Sequence, residues 1–79
     1  MKLEIISPES IVFNGDVSLV TLPGINGSFT VLKNHAPMIS LLKQGKLIYR
    51  HDNTENEVAV ASGFVEINKN VVTVSVELT

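Results

Sequence analysis

Apolar and polar residues alternate with a period of two along most of this chain. Near its end, Val72, Val74 and Val76 alternate with Thr73 and Ser75. Because successive side chains of a β-strand point to opposite faces, this spacing places the three valines on one face. No stretch has the spacing of an amphipathic helix, which repeats about every 3.6 residues. The pattern therefore predicts an all-β protein.

Turn-forming residues divide the alternating pattern into about nine to ten short strands. We predict a hairpin turn at Asn14-Gly15, because both residue types tolerate positive φ angles, and a further turn at Ser62-Gly63. Residues 16–22 are apolar on both faces, which predicts a central strand, and the apolar run 38–42 predicts a buried strand. The sequence contains no linker, repeat or low-complexity segment. It predicts one domain over residues 1–79, folded as a single antiparallel β-sandwich.

The composition indicates that part of the outer surface is covered by another molecule. The 79 residues are 44% hydrophobic and 18% charged, where about 25% charged is usual. The outer faces of a small sandwich are normally polar, so this apolar surplus favours a partner surface over a lone monomer. The formal net charge of −2 and the lack of basic runs argue against binding to nucleic acid or directly to a membrane. We expect a soluble intracellular protein docked on a larger one.

Catalytic chemistry has few candidate residues in this sequence. His35 and His51 are the only histidines and so the candidate bases, and Ser40 and Ser62 are the candidate nucleophiles. Ser62 precedes Gly63 but lacks the preceding glycine and the following helix of a nucleophile elbow. Ser40 lies within an apolar run. We therefore predict no catalytic residue and no enzymatic activity of the chain itself.

Metal and cofactor sites are also poorly supported by the sequence. The absence of cysteine excludes disulfide bonds and thiolate-bound metals. His51, Asp52, Glu55 and Glu57 offer nitrogen and oxygen ligands, but they surround a polar loop and have the spacing of no common metal site. Residues 24–27 are not followed by a helix, whose N-terminus a phosphate-binding loop requires. We predict no bound metal and no cofactor.

His35 has two interpretations, which the sequence leaves open. Pro37 restricts the backbone of Ala36 to extended conformations, so residues 34–36 are held as a fixed loop. Such a loop would suit display of the imidazole for recognition of a partner. Alternatively, His35 closes the loop by bonding a backbone carbonyl group.

Several short motifs occur in an order that resembles one protein family. They are Ser7-Pro8, Phe13-Asn14-Gly15, the segment 24–37 with its glycines and His35-Ala36-Pro37, the later Gly45, and residues 61–67. Over nearly its whole length the chain is similar to the N-terminal β-sandwich domain of the epsilon subunit of F-type rotary ATP synthases. The position of His-Ala-Pro relative to the other motifs is the most specific part of this resemblance.

The resemblance implies a rotor subunit of a proton-translocating ATP synthase that holds no catalytic group. Such a subunit binds the gamma subunit and the c-ring, reaches the catalytic alpha and beta subunits only indirectly, and couples rotation to ATP synthesis. The plain Met1 start, without a transit peptide, favours a peripheral position at the cytoplasmic face of a bacterial inner membrane. By matching position, Asn26, Gly27, Ser28, Phe29 and His35 face the c-ring, and Ser7, His35 and Ser40 face gamma.

Three residues depart from the family pattern, and one segment of it is missing. Ser28 replaces the usual glutamate, Thr30 a glycine, and Lys33 the proline before Asn34. An exposed ion pair of that glutamate would contribute only ~0–1 kcal/mol, so we expect its loss to have a modest effect. Many family members continue into a C-terminal helical hairpin that restrains ATP hydrolysis, whereas these residues end at Thr79. A natural short form would couple rotation without that arm, and a piece of a longer chain would have lost it; the sequence leaves both open.

A lipoyl or biotinyl carrier domain is the alternative interpretation. Such domains are also small and all-β, and they display a modified lysine at a hairpin tip. Lys69, between Asn68 and Asn70, has that placement. The residues that normally flank a modified lysine are missing here, so the epsilon-type interpretation is favoured.

Overall fold

The computed structural model describes residues 1–79 and contains strands but no helix. No element in it could therefore cross a membrane as a helix. The eight strands are β1 (Lys2–Ser7), β2 (Ser10–Asp16), β3 (Leu19–Gly24), β4 (Gly27–Leu32), β5 (Met38–Leu42), β6 (Gly45–His51), β7 (Thr54–Asn68) and β8 (Val71–Leu78).

The strands form two layers that share the long strand β7. The layer that we call sheet 1 has the order β2-β1-β8-β7-β5 and uses the C-terminal half of β7. The layer that we call sheet 2 has the order β4-β3-β6-β7 and uses the N-terminal half of β7. Neighbouring strands are antiparallel, except that β8 runs parallel to β1. The predicted all-β sandwich is confirmed, with this one parallel pair in it.

The predicted turn at Ser62-Gly63 is wrong, because β7 runs through both residues. The pairing of β7 with β8 shifts register between Val60 and Ser62, which marks a β-bulge. A Cβ atom on Gly63 would lie 2.2 Å from the carbonyl oxygen of Ser75. The glycine is therefore needed for the close approach of β8 to the point where β7 passes from one sheet to the other. This continuous strand is one reason why the chain has eight strands and not nine or ten.

The predicted hairpin at Asn14-Gly15 is also wrong. Both residues lie inside β2, opposite Glu4 and Leu3 of β1, and the turn before β2 is at residues 8–9. A Cβ atom on Gly15 would lie 3.0 Å from Cζ of Phe13. The glycine therefore makes room for an aromatic ring over the strand and does not form a turn.

The hydrophobic core lies between the two sheets. It consists of fifteen buried residues, and no buried polar or charged residue accompanies them. The core residues are Leu3, Ile5, Val17, Val20, Leu22, Val31, Leu42, Leu47, Tyr49, Val60, Val65, Ile67, Val72, Val74 and Val76. The valines at positions 72, 74 and 76 occupy one face of β8, as their spacing predicted.

Two predicted strands differ from their predictions in burial or extent. The segment 16–22 forms a strand only from Leu19, and this strand is central, because β3 lies between β4 and β6. The segment 38–42 is a strand as predicted, but only one of its faces is covered. Leu42 is buried, whereas Ile39 and Leu41 are 72% and 60% exposed. The apolar side chains of β5 therefore lie partly on the outer surface of sheet 1.

Candidate interaction surface

A row of apolar side chains crosses the outer face of sheet 1. Leu41, Phe64, Ser75, Ile6 and Ile11 are successive cross-strand partners on β5, β7, β8, β1 and β2. We call these five residues the apolar row. Leu41, Phe64 and Ile11 are 60%, 48% and 65% exposed. Four of the five side chains are thus hydrophobic on a face that would ordinarily be polar.

The surface around the apolar row is concave, and the charges near it are acidic. A groove of about 380 Å³ adjoins the row and is lined in part by Ile6, Phe64 and the acidic Glu77. The neighbouring cross-strand row begins with the exposed Ile39, and its acidic members are Glu66 and Glu4. Burying one large apolar side chain contributes about 1.5–3 kcal/mol. Several such side chains side by side are therefore typical of a surface that binds another protein.

The outer face of sheet 2 has more paired polar groups, although Leu32, which is 54% exposed, also lies on it opposite Leu19. The hydroxyl oxygens of Thr21 and Thr30 are 2.9 Å apart across β3 and β4. The ammonium group of Lys46 lies 3.3 Å from a carboxylate oxygen of Glu57, across β6 and β7. These polar groups satisfy one another or water, so the part of this face that they occupy can stay in contact with solvent.

The loop at residues 33–37 is fastened to the turn between β7 and β8. The backbone N–H of Asn34 donates to Oδ1 of Asn70 at 2.6 Å, and Nδ2 of Asn70 donates to Oδ1 of Asn34 at 2.8 Å. Both asparagines have positive φ angles, of 66° and 62°. Asparagine tolerates this conformation better than most residues, so each provides both the backbone angle and the amide partner. We call this pair of hydrogen bonds the asparagine clasp.

His35 lies half-buried in this clasped loop. Its Nδ1 is 2.7 Å from the carbonyl oxygen of Ala36, and its backbone N–H donates to the carbonyl of Leu32 at 3.2 Å. The bond to a backbone carbonyl is the loop-closing interaction that the sequence left open. The recognition role of His35 stays a prediction.

The structure places the predicted ring-facing residues at both ends of one hairpin. Asn26 lies in the turn between β3 and β4, with Gly27, Ser28 and Phe29 at the start of β4. His35 follows the other end of β4, about 17 Å away by the rise of an antiparallel strand. Asn26, Gly27 and Ser28 are exposed, whereas Phe29 packs partly against the core. His35 is therefore not part of one compact patch with the hairpin tip.

The predicted gamma-facing serines are also separated. Ser7 ends β1, lines the groove beside the apolar row, and donates from Oγ to the carbonyl of Ser10 at 3.3 Å. Ser40 on β5 donates to the carbonyl of Leu41 at 3.2 Å and is paired with the inward-facing Val65. Strands β7 and β8 lie between β5 and β1, so the strands that carry the two serines are about 14 Å apart, and Ser7 lies two residues further along β1 than the position level with Ser40.

The remaining candidate residues have structural contacts in the fold. Nδ1 of His51 is 2.6 Å from the carbonyl oxygen of Asp16, and its Nε2 is 3.3 Å from a carboxylate oxygen of Asp52. The ring of Phe13 packs on Tyr49 with centroids 4.4 Å apart. Burial raises the pKa of the Tyr49 phenol. No three His, Cys, Asp or Glu side chains are grouped as a metal site would require.

The alternative carrier site has the predicted placement. Lys69 lies in the exposed turn between β7 and β8, with a φ angle of 51°. Its neighbour Asn70 is held in the asparagine clasp.

The apolar row itself could not be predicted from the pattern within any one strand. Its members lie on five strands, and only the register between those strands brings them together. Only two local features of the sequence indicated apolar residues outside the core. They are the apolar run at residues 38–42 and the position of Phe64 next to the inward-facing Val65.

Comparison with known proteins gives one consistent family. A family model described as the β-sandwich domain of the ATP synthase delta/epsilon chain matches residues 1–78. The ATP synthase epsilon chain of Sulfurovum sp. is 42% identical over 98% of this chain and 61% of its own length. That of Campylobacter fetus is 45% identical over 98% of this chain and 60% of its own length. The chain thus spans about three fifths of these relatives.

Solved structures show the same fold at low sequence identity. The Euglena gracilis mitochondrial ATP synthase contains a chain that matches with a TM-score of 0.87 and 19% identity, over 94% of this chain and 48% of that one. The central stalk and c-ring structure of the Tetrahymena thermophila mitochondrial ATP synthase gives a TM-score of 0.82 and 18% identity, over 95% and 61%. A match of the whole chain to this fold and family gives the carrier alternative no support.

Proposed function

From the family to which this chain belongs, the β-sandwich domains of ATP synthase delta/epsilon chains, we infer that it is a non-catalytic rotor component of a proton-translocating F-type ATP synthase. It binds the gamma subunit and the c-ring, couples rotation to ATP synthesis, and is peripheral to the cytoplasmic face of a bacterial inner membrane. Relatives named ATP synthase epsilon chain and a matching structure of a central stalk with its c-ring support this proposal.

The apolar row is the observation that carries the proposal. Its side chains span all five strands of sheet 1, so an elongated partner could lie along the whole face. We assign the gamma subunit to this face, because the outer face of sheet 2 already pairs its own polar groups. Ser7 lines the groove beside the row and belongs to the same contact.

The two ends of the sandwich receive different assignments in this proposal. The exposed tip formed by Asn26, Gly27 and Ser28 faces the c-ring, with Phe29 supporting it from the core. His35 goes with the gamma contact, because its loop is clasped to the end of sheet 1 and leads into the exposed Ile39. Ser40 acts from inside β5, where it supports the strand that carries Leu41.

Charge placed on the apolar row tests the proposal. We expect Phe64→Glu to weaken binding of the full chain to the purified gamma subunit of the same source about tenfold or more, since a desolvated aromatic contact is lost. Titration calorimetry measures the change, and circular dichroism verifies the fold of each variant. The matched control is Ala59→Glu, on the same strand but on the outer face of sheet 2 and opposite Lys46. Equal losses for both variants, or no loss for Phe64→Glu, would contradict the assignment.

A further inference from the structure

The chain contains two Asn-Gly steps in different structural settings. Asn14-Gly15 lies inside β2, and Asn26-Gly27 lies at the tip of the hairpin formed by β3 and β4. Both asparagine side chains are exposed, so exposure alone does not distinguish them. The difference lies in how firmly the backbone of each following glycine is held.

Gly27 lies at the end of its ladder, beside a turn in which the backbone N–H of Ile25 donates to the carbonyl of Leu41 at 2.9 Å. It pairs with Gly24, which is the last pair between β3 and β4, and it has a φ angle of 130°. No atom lies within 4 Å of the position that its Cβ would occupy. Terminal pairs and turn tips open more easily than the middle of a ladder. Local opening of this last pair would let the peptide nitrogen of Gly27 approach the side chain of Asn26.

Gly15 is held inside its ladder and against two rings, although β2 is an edge strand that pairs only with β1. Its pair with Leu3 is flanked in the same ladder by the pairs of Asn14 with Glu4 and of Asp16 with Lys2. The Phe13 ring lies 3.0 Å from the position of a Gly15 Cβ, and the ring of His51 lies 3.5 Å from it. Rotation of this peptide would break the ladder and move an aromatic ring, so Asn14 is fixed in the extended conformation.

We propose that Asn26 is a site of spontaneous deamidation and that Asn14 is protected from it. The backbone nitrogen of Gly27 attacks the side-chain carbonyl carbon of Asn26. A carbon–nitrogen bond forms, the side-chain nitrogen leaves as ammonia, and a five-membered succinimide results. Water then opens the ring at either carbonyl and gives aspartate or isoaspartate. One water is consumed and one ammonia released, with no oxidant or reductant.

The reaction changes the electrostatics of the hairpin tip. It adds one negative charge two residues before Ser28, on a turn where Ile25, Gly27 and Ser28 are uncharged. This effect on a ring contact rests on the proposed function, since it matters only if the tip faces the c-ring. The reactivity itself does not depend on any partner.

The test follows both asparagines in the isolated full chain. The folded protein is incubated in mildly alkaline buffer, and peptides containing each site are quantified by mass spectrometry and by isoaspartyl methyltransferase labelling. We expect product at Asn26 to form at least about tenfold faster than at Asn14. In concentrated urea, where no ladder exists, the two sites should react at similar rates. Asn26→Ser should remove the fast product.

Two outcomes would overturn the inference. One is equal rates at the two sites in the folded protein, and the other is an Asn26 that reacts in urea but stays intact in the folded chain. Binding of the Asn26→Asp variant to purified c-ring is a separate measurement. If deamidation occurs as expected but this variant binds the ring unchanged, only the ring-facing assignment of the tip fails.

Discussion

The outer faces of the two sheets are made by the same alternation of side chains, but they differ in how many polar and apolar side chains they expose. On sheet 2, Thr21 meets Thr30 and Lys46 meets Glu57. On sheet 1, the outer face carries the apolar row, whereas the exposed Leu32 of sheet 2 has no such row of apolar neighbours across five strands. The inner faces of both sheets belong to one core, so the difference is confined to the outside. Folding requires only that the inner faces be apolar, and the outer apolar face therefore indicates a second requirement, namely binding.

Adjacent leucines on β5 give the largest expected effects and test this comparison directly. Leu42 is buried in the core and Leu41 is 60% exposed on the outer face. We expect Leu42→Ala to lower the free energy of unfolding by about 3 kcal/mol, because it leaves a cavity. Leu41→Ala should change it by no more than about 0.5 kcal/mol, because its side chain is mostly in water. Urea denaturation followed by circular dichroism measures both.

The two leucine substitutions should have the opposite order of effect on binding to the gamma subunit. Leu41→Ala should weaken the complex with gamma although the isolated domain keeps its stability. Similar losses of unfolding free energy for the two variants would mean that Leu41 belongs to the fold, and the outer face of sheet 1 would no longer differ in kind from that of sheet 2.

The alternation of side chains was enough to predict the fold class and most strand faces, but not the strand ends. Val72, Val74 and Val76 could be assigned to the core because their spacing is a local property. The turn preference of Asn14-Gly15 is an equally local property, and it predicts a turn that the structure does not have. The pairing with β1 and the aromatic ring over Gly15 come from residues far away in the sequence, and they outweigh the local turn preference.

Predicting the candidate interaction surface would have required the register between strands that are far apart in the sequence. Leu41 and Ile11 are thirty residues apart and are connected through three other strands. No pattern within one strand shows that their rows coincide. The resemblance to a family indicated the hairpin tip and the His35 loop, but not that they lie at opposite ends of β4.

The asparagine clasp gives a medium effect, because it joins the two sheets at the His35 loop. Asn70→Gly removes two hydrogen bonds, each of which contributes about 0.5–1.5 kcal/mol, but glycine relieves the positive φ angle. We expect a net loss of stability of about 1 kcal/mol or less, together with faster hydrogen exchange at the Asn34 amide. Lys69→Gly is the control, since it relieves a positive φ angle in the same turn without touching the clasp. An unchanged rate of hydrogen exchange at the Asn34 amide in the Asn70→Gly variant would show that the loop keeps its conformation without the clasp.

The ion pair on sheet 2 should give the smallest effect of all. Lys46 and Glu57 are 3.3 Å apart, but their side chains are 68% and 51% exposed. Water and salt screen such a pair, so we expect a double-mutant cycle with alanine at both positions to give a coupling of less than about 0.5 kcal/mol. The polar side chains on the outer face of sheet 2 would then keep the protein soluble without adding to its free energy of unfolding. A coupling above about 1 kcal/mol would mean that the outer face of sheet 2 also has a structural role, and that the two faces differ less than their surfaces indicate.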